Sequence, residues 1–91
     1  MSVRCVRATI SGTVQGVGFR WFAERELEAL GVRGTVRNLP DRRVEVIAEG
    51  TPEQIERALA LLRTGPAGAR VVEMEVEDLP PHGFSRFEIL H

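Results

Sequence analysis

Residues 12–20 read GTVQGVGFR and join two segments whose hydrophobic residues recur at different intervals. In residues 3–11, before this stretch, apolar and polar side chains alternate, which is typical of a strand. In residues 20–30, after it, apolar side chains recur at helical spacing, and Gly31 stands where a helix cap belongs. We therefore predict that GTVQGVGFR is a glycine-rich loop connecting a first strand to a first helix.

The middle of the chain predicts a hairpin and a second helix. Residues 33–38 and 43–49 are strand-like and flank the turn-forming sequence LPDR at residues 39–42. Residues 51–54, TPEQ, combine an N-cap threonine, a proline at the first helical position and the glutamine of a capping box. Gly65, which precedes a proline, is expected to end this helix.

The C-terminal third predicts two further strands. Residues 70–78 alternate valine or methionine with glutamate, so Val72 is expected on a buried face and the glutamates in water. Residues 84–90 fit a short last strand. The resulting β-α-β-β-α-β order with an appended strand predicts an α+β ferredoxin-like sandwich, an antiparallel sheet with both helices on one face. With 91 residues, the chain is expected to form a single domain over residues 1–91.

Composition excludes several classes of protein. The net charge is −1, which offers no electrostatic case for binding nucleic acid or an anionic membrane. No stretch of 18 apolar residues occurs, and no charged and then hydrophobic leader precedes the first strand, so we expect a cytoplasmic protein. The single cysteine, Cys5, cannot form an internal disulfide and is interpreted as a small apolar residue of the first strand.

All 12 basic residues are arginine and none is lysine. A GC-rich genome explains this bias without any structural cause. The scarcity of heat-labile Asn, Gln, Cys and Met also fits a thermophilic source, which we keep as a hypothesis.

The glycine loop has two interpretations on loop chemistry alone. It lacks the lysine of a Walker A loop, and Trp21 occupies the position of the third glycine of a dinucleotide fingerprint. Gly16 and Gly18 could still shape a concave cluster of backbone N–H groups at a helix N-terminus, where Arg20 could grip an oxyanion. In the other interpretation, the glycines serve only the geometry of the turn and the arginine is solvated.

A resemblance to a known family favours the anion site. Residues 10–20, ISGTVQGVGFR, look like the first signature of the acylphosphatase family, without a gap. Residues 34–38, GTVRN, resemble its second signature, and the resemblance extends from the first strand to residues 87–89. Thr35 replaces the usual aromatic residue, and Arg42 replaces a usual glycine. Because a bulky residue avoids positive φ, Arg42 predicts a different type of turn.

The resemblance implies hydrolysis of the carboxyl–phosphate bond of acyl phosphates, without a metal or a cofactor. It implies that Arg20 binds the phosphoryl group and that Asn38 orients the attacking water. The implied phosphate-binding residues, which act through their backbone amides and the arginine side chain, are Gln15, Gly16, Val17, Gly18, Phe19 and Arg20. The partner would be a small-molecule acyl phosphate with inorganic phosphate as the product, and we expect a monomer.

Without the family resemblance, the residues themselves leave other interpretations open. The sequence around Asn38, two residues before a proline, is typical of a turn former rather than of a catalytic residue. Trp21 and Phe22 are expected to pack in the core, with Trp21 also at the border of the site. An RNA-binding domain of this fold would carry aromatic residues on its first and third strands, and neither predicted strand does. A catalytically silent ligand-binding or interaction module of the same fold remains the alternative.

Overall fold

The computed structural model describes residues 2–91 and confirms the predicted order of elements. Two helices and five strands follow one another in the predicted sequence, and their bounds differ from the predicted ones by a few residues at most. They are β1 (Arg4–Thr13), α1 (Phe19–Ala29), β2 (Arg33–Asn38), β3 (Val44–Gly50), α2 (Pro52–Thr64), β4 (Arg70–Leu79) and β5 (Phe87–Ile89).

The five strands form one sheet in the order β4-β1-β3-β2-β5. The pairs β4–β1, β1–β3 and β3–β2 are antiparallel, as predicted, while the short β5 lies parallel to β2 at the edge. Val44 pairs with both Ile10 of β1 and Asn38 of β2. This register places the loop after β1 and the turn after β2 at the same end of the sheet.

Both helices pack on one face of the sheet, which confirms the ferredoxin-like architecture. The core combines the inward apolar residues of the strands with one stripe from each helix, and it includes Val6, Ala8, Ile10, Val36, Val44, Val46, Ala23, Leu27, Ile55, Ala58, Leu59 and Leu62. The opposite face is charged, and Arg37 there pairs with Glu45 at 3.0 Å. Cys5 is buried, as expected for an apolar residue of β1.

Helix ends follow the predicted signals. Thr51 accepts a hydrogen bond from the Gln54 backbone N–H at 3.2 Å, and the Gln54 side chain accepts one from the Thr51 N–H at 2.9 Å. This reciprocal pair is the predicted capping box. Gly31 follows α1 with a φ of 83°, and the next residue, Val32, donates a hydrogen bond to Leu27 O at 2.9 Å. Local hydrogen bonds thus close the N-terminus of α2 and the C-terminus of α1.

Val72 contradicts the predicted alternation of β4, because it is 72% exposed. The register between β1 and β4 shifts here: Ser11 pairs with Glu73, and the next residue, Gly12, pairs with Val71. Val72 is the extra residue of this β-bulge, and Val71 takes the inward place against the core instead. Strict alternation along a strand cannot predict such a register shift.

The turn between β2 and β3 also differs from expectation. Arg42 has a φ of 74°, the only positive φ of a non-glycine residue within residues 2–91. The premise that an arginine would avoid positive φ at this position is therefore wrong. Arg42 adopts the left-handed conformation that favours glycine, at a local energetic cost.

Candidate active site

A cavity of about 200 Å³ opens at the end of the sheet where the glycine loop and the β2–β3 turn meet. Three parts of the chain line it: the loop with the start of α1, the end of β2, and the residues at β5. Its lining residues are Val14, Gly16, Gly18, Phe19, Arg20, Trp21, Asn38, Ile89 and His91. The cavity therefore collects the glycine loop, the arginine and the asparagine that the sequence singled out.

The loop takes its shape from two glycines. Gly16 and Gly18 have φ values of 75° and 77°, a left-handed backbone conformation that side chains rarely adopt. A Cβ atom at either position would meet nothing within 4 Å, so the backbone conformation, not lack of space, requires glycine. Buried Val14 and Phe19 anchor the loop at its two ends. The result is a tight turn fixed at both ends.

The loop and the start of α1 present unpaired backbone donors. Gly18 is the N-cap of α1 and provides no side-chain hydrogen bond, and the first helical turn contains no acidic residue. Within residues 2–91, the N–H groups of residues 15–18 donate no hydrogen bond to the backbone. Free N–H groups at a helix N-terminus attract anions, since the helix dipole adds a partial positive charge there.

Arg20 lies in the first turn of α1, is half-buried and lines the cavity. In the part of the chain that the structure describes, its guanidinium group makes no ion pair with a carboxylate. Many other arginines are paired, for example Arg4 with Glu56 at 2.7 Å. The charge of Arg20 is therefore available to a bound anion.

Asn38 is the last residue of β2, where its backbone pairs with Val44. The turn that follows is closed by main-chain hydrogen bonds, from Leu39 N to Arg43 O at 2.8 Å and from Arg42 N to Leu39 O at 3.2 Å. The Asn38 side chain takes no part in them, and Asn38 lines the cavity. The interpretation of Asn38 as a turn former thus finds no hydrogen bond in support.

Two predicted loop residues do not line the cavity. Val17 packs against the core, and the Gln15 side chain turns toward the β2–β3 turn. Both were proposed for their backbone amides, so their side-chain positions do not decide that prediction.

Sequence reasoning missed part of the cavity wall. Trp21 is 58% exposed and borders the cavity, so its expected place in the core is wrong, while its place at the border is confirmed. The guanidinium carbon of Arg25 lies 4.4 Å from the centre of its ring. Ile89 and His91 reach the cavity because β5 pairs with β2, and no local pattern predicts which strand β5 joins.

Two further observations concern membrane-spanning helices and metal-binding groups. No helix among residues 2–91 is long and apolar enough to cross a membrane. The same residues contain no group of three His, Cys, Asp or Glu side chains placed to hold a metal ion.

Comparisons with known proteins identify the family and the fold. The sequence profile of the acylphosphatase family matches residues 6–89. An acylphosphatase of Methanothrix thermoacetophila is 41% identical over 96% of this chain and 97% of its own length. One of Thermococcus kodakarensis is 48% identical over 89% of each chain. The crystal structure of acylphosphatase from Bacillus subtilis superimposes with a TM-score of 0.94 at 31% identity, covering 97% of this chain and 99% of that one. The chain therefore belongs to the acylphosphatase family.

Proposed function

We propose that the protein hydrolyses acyl phosphates to a carboxylate and inorganic phosphate at the cavity between the glycine loop and Asn38. The observation that carries the proposal is that Arg20, the loop glycines and Asn38 line one cavity although they come from different elements. Membership of the acylphosphatase family supports the reaction class.

The glycine loop and Arg20 are suited to binding a phosphoryl group. Arg20 can donate two parallel hydrogen bonds to phosphoryl oxygens, which a lysine cannot do in the same geometry. The free N–H groups of residues 15–18 can donate to the remaining oxygens. Because these donors are fixed before substrate binds, they stabilise the charge of the transition state without reorganising. Phosphoryl binding is thus assigned to Arg20 and the loop.

Asn38 is suited to orienting water rather than to proton transfer. Its side-chain carbonyl can accept a hydrogen bond from water while its NH₂ group donates to a phosphoryl oxygen. The water oxygen attacks phosphorus, the bond between phosphorus and the acyl oxygen breaks, and the bond electrons leave with the carboxylate. A carboxylate has a pKa of about 4 and leaves without a general acid, and the proton of water passes to phosphate or solvent. In a loose transition state, little of that proton has to be removed at the start.

Hydrolysis of benzoyl phosphate in the presence of a chelator, with matched variants, tests the assignment. We expect Arg20→Ala to lower kcat/KM at least about 100-fold and to weaken inhibition by phosphate, because the variant lacks the guanidinium group that binds the phosphoryl oxygens. Arg20→Lys should remain defective, since lysine keeps the charge but cannot donate two parallel hydrogen bonds to the phosphoryl group. Asn38→Ala should lower kcat by roughly 100-fold with little change in phosphate inhibition, because water is no longer oriented.

Arg63→Ala is the matched control. Arg63 is exposed in the last turn of α2, outside the cavity, and its substitution removes the same charge. Its activity should stay near that of the wild type. An inert wild-type protein that still binds phosphate would instead identify a ligand-binding module of this fold. Fully active Arg20 or Asn38 variants would leave the hydrolysis standing and overturn the residue roles.

A further inference from the structure

The side chain of Gln15 connects the glycine loop to the β2–β3 turn, which follows Asn38. Its Nε2 atom donates one hydrogen bond to Leu39 O and another to Arg43 O, both at 2.9 Å. Gln15 belongs to the glycine loop, whereas Leu39 and Arg43 flank the β2–β3 turn. One NH₂ group thereby uses both of its protons across the gap between loop and turn.

The two acceptors lie next to the residues that hold Asn38. Leu39 follows Asn38 directly, and Arg43 precedes Val44, the backbone partner of Asn38 in the sheet. Within residues 2–91, these are the only hydrogen bonds between residues 14–18 and residues 38–43. Gln15 is partly buried, so water competes less for these contacts than at an open surface.

The Leu39 and Arg43 carbonyl groups already have one partner each. Arg43 O accepts from Leu39 N at 2.8 Å, and Leu39 O accepts from Arg42 N at 3.2 Å. The Gln15 amide occupies the second acceptor position of both oxygens. It therefore holds a turn that is already closed and fixes where that turn lies relative to the loop.

We propose that Gln15 is a positioning residue, whose side chain sets the place of Asn38 relative to the phosphate-binding loop. The proposal rests on the proposed function for its kinetic consequence, while its structural consequence can be measured without any activity. A reacting group displaced by about 1 Å can lower a rate by as much as about 100-fold. Hydrogen bonds that position the turn relative to the loop should accordingly affect kcat more than phosphate binding.

Asn38 is the only asparagine of the chain, and Gln15 and Gln54 are its only glutamines. Uniform ¹⁵N labelling therefore gives three side-chain amide signal pairs, which single substitutions assign. In Gln15→Glu, we expect the Asn38 pair to shift or broaden while the Gln54 pair stays in place. An Asn38 pair that does not move would overturn the proposal, whether or not the wild-type protein hydrolyses acyl phosphates.

Gln54→Glu is the matched control. The Gln54 Nε2 atom also donates to a backbone carbonyl, Leu30 O at 2.9 Å, from a partly buried position outside the cavity. This variant should lose stability, as Gln15→Glu does, but leave the Asn38 signals and the kcat per folded molecule unchanged. A loss of kcat in both variants would indicate general destabilisation and overturn the specific role of Gln15.

The pH profile provides a second readout. At neutral pH the carboxylate of Gln15→Glu faces two carbonyl oxygens, so kcat should fall roughly 10- to 100-fold. Its negative charge in the loop also weakens inhibition by phosphate, so the separation of kcat from phosphate affinity is measured with the uncharged Gln15→Met. The two carbonyl oxygens repel the charged form of the new carboxyl and accept a hydrogen bond from its protonated form. Protonation restores one O–H donor, so the kcat ratio of variant to wild type should recover as pH falls toward about 5.

Gln15→Met keeps the proposal testable if the charged variant does not fold. Methionine is similar in length, carries no charge and donates no hydrogen bond. Its kcat should fall without any recovery at low pH. A Gln15→Met kcat within twofold of the wild type, or an equal loss of kcat and phosphate affinity, would contradict the positioning role.

Discussion

The carboxylate of Glu49 accepts a hydrogen bond from the backbone N–H of His82 at 2.6 Å. The N–H of Gly83 donates to the same carboxylate at 3.0 Å and 3.1 Å. Glu49 is the one buried charged side chain within residues 2–91, and Arg33 stands 3.6 Å away. These contacts hold the segment between β4 and β5 against the face of the sheet opposite the helices.

Glu49→Ala should lower the free energy of unfolding by about 2 to 3 kcal/mol, because two backbone donors lose a charged acceptor. Glu49→Gln should lose less, since its amide oxygen still accepts. Urea denaturation measures the difference. Glu73→Ala, an exposed glutamate of β4, is the control and should change stability by less than about 0.5 kcal/mol. Equal stability of the Glu49 and Glu73 variants would show that the contacts do not stabilise the fold.

The same contacts predict a pH dependence. Burial alone would raise the pKa of Glu49, but the N–H groups of His82 and Gly83 and the charge of Arg33 outweigh it. The pKa therefore lies below its ordinary value of 4.5. With a lowered pKa in the folded state, this stabilisation is fully present above about pH 4.5 and is lost as pH falls below it. Urea midpoints between pH 7 and 3 should converge for wild type and Glu49→Gln. A constant difference across that range would contradict the prediction.

Arg42→Gly should stabilise the protein, because glycine adopts the φ of 74° without the steric cost of a Cβ atom. We expect a gain of about 1 kcal/mol, which for a domain of this size raises Tm by roughly 4–8 °C. Arg42→Ala removes the same charge and keeps the Cβ atom, so it should not share the gain. Thermal unfolding distinguishes the two. A Tm of Arg42→Gly at or below that of Arg42→Ala would remove the argument from backbone strain.

Trp21 offers an exposed aromatic ring at the cavity, which suggests a contact for the acyl group. Trp21→Ala should raise KM for benzoyl phosphate by roughly 2- to 10-fold, the value of an aromatic contact, and change KM for acetyl phosphate less. Trp21→Phe should retain most of the preference. Since the ring is 58% exposed, stability should hardly change. Equal effects on both substrates would mean that the ring does not select the acyl group.

Local patterns predicted the elements of this fold, because periodicity and caps act within a few residues of one another. The Thr51–Gln54 capping box and Gly31 behave as their sequence context indicates. The bulge at Val72 could not be predicted, since it depends on the register of β4 against β1. The left-handed Arg42 shows that the preference of a single residue does not by itself decide the conformation of a turn.

The site was predictable where its signals are continuous in sequence. Residues 12–20 predicted the loop and Arg20, whereas Asn38 was raised above a turn former only by resemblance to a family. The contribution of Ile89 depends on the parallel pairing of β5, and the Gln15 hydrogen bonds depend on tertiary structure. Contacts between distant segments leave no periodic signal in the chain.

Hydrolysis of benzoyl phosphate in water enriched in a heavy oxygen isotope tests the central claim most directly. If water held by Asn38 attacks a phosphoryl group held by Arg20, mass spectrometry should find the heavy oxygen in inorganic phosphate and none in benzoate, after correction for spontaneous hydrolysis. Heavy oxygen in benzoate would show attack at the acyl carbon and contradict the account, as would a rate no higher than that without protein.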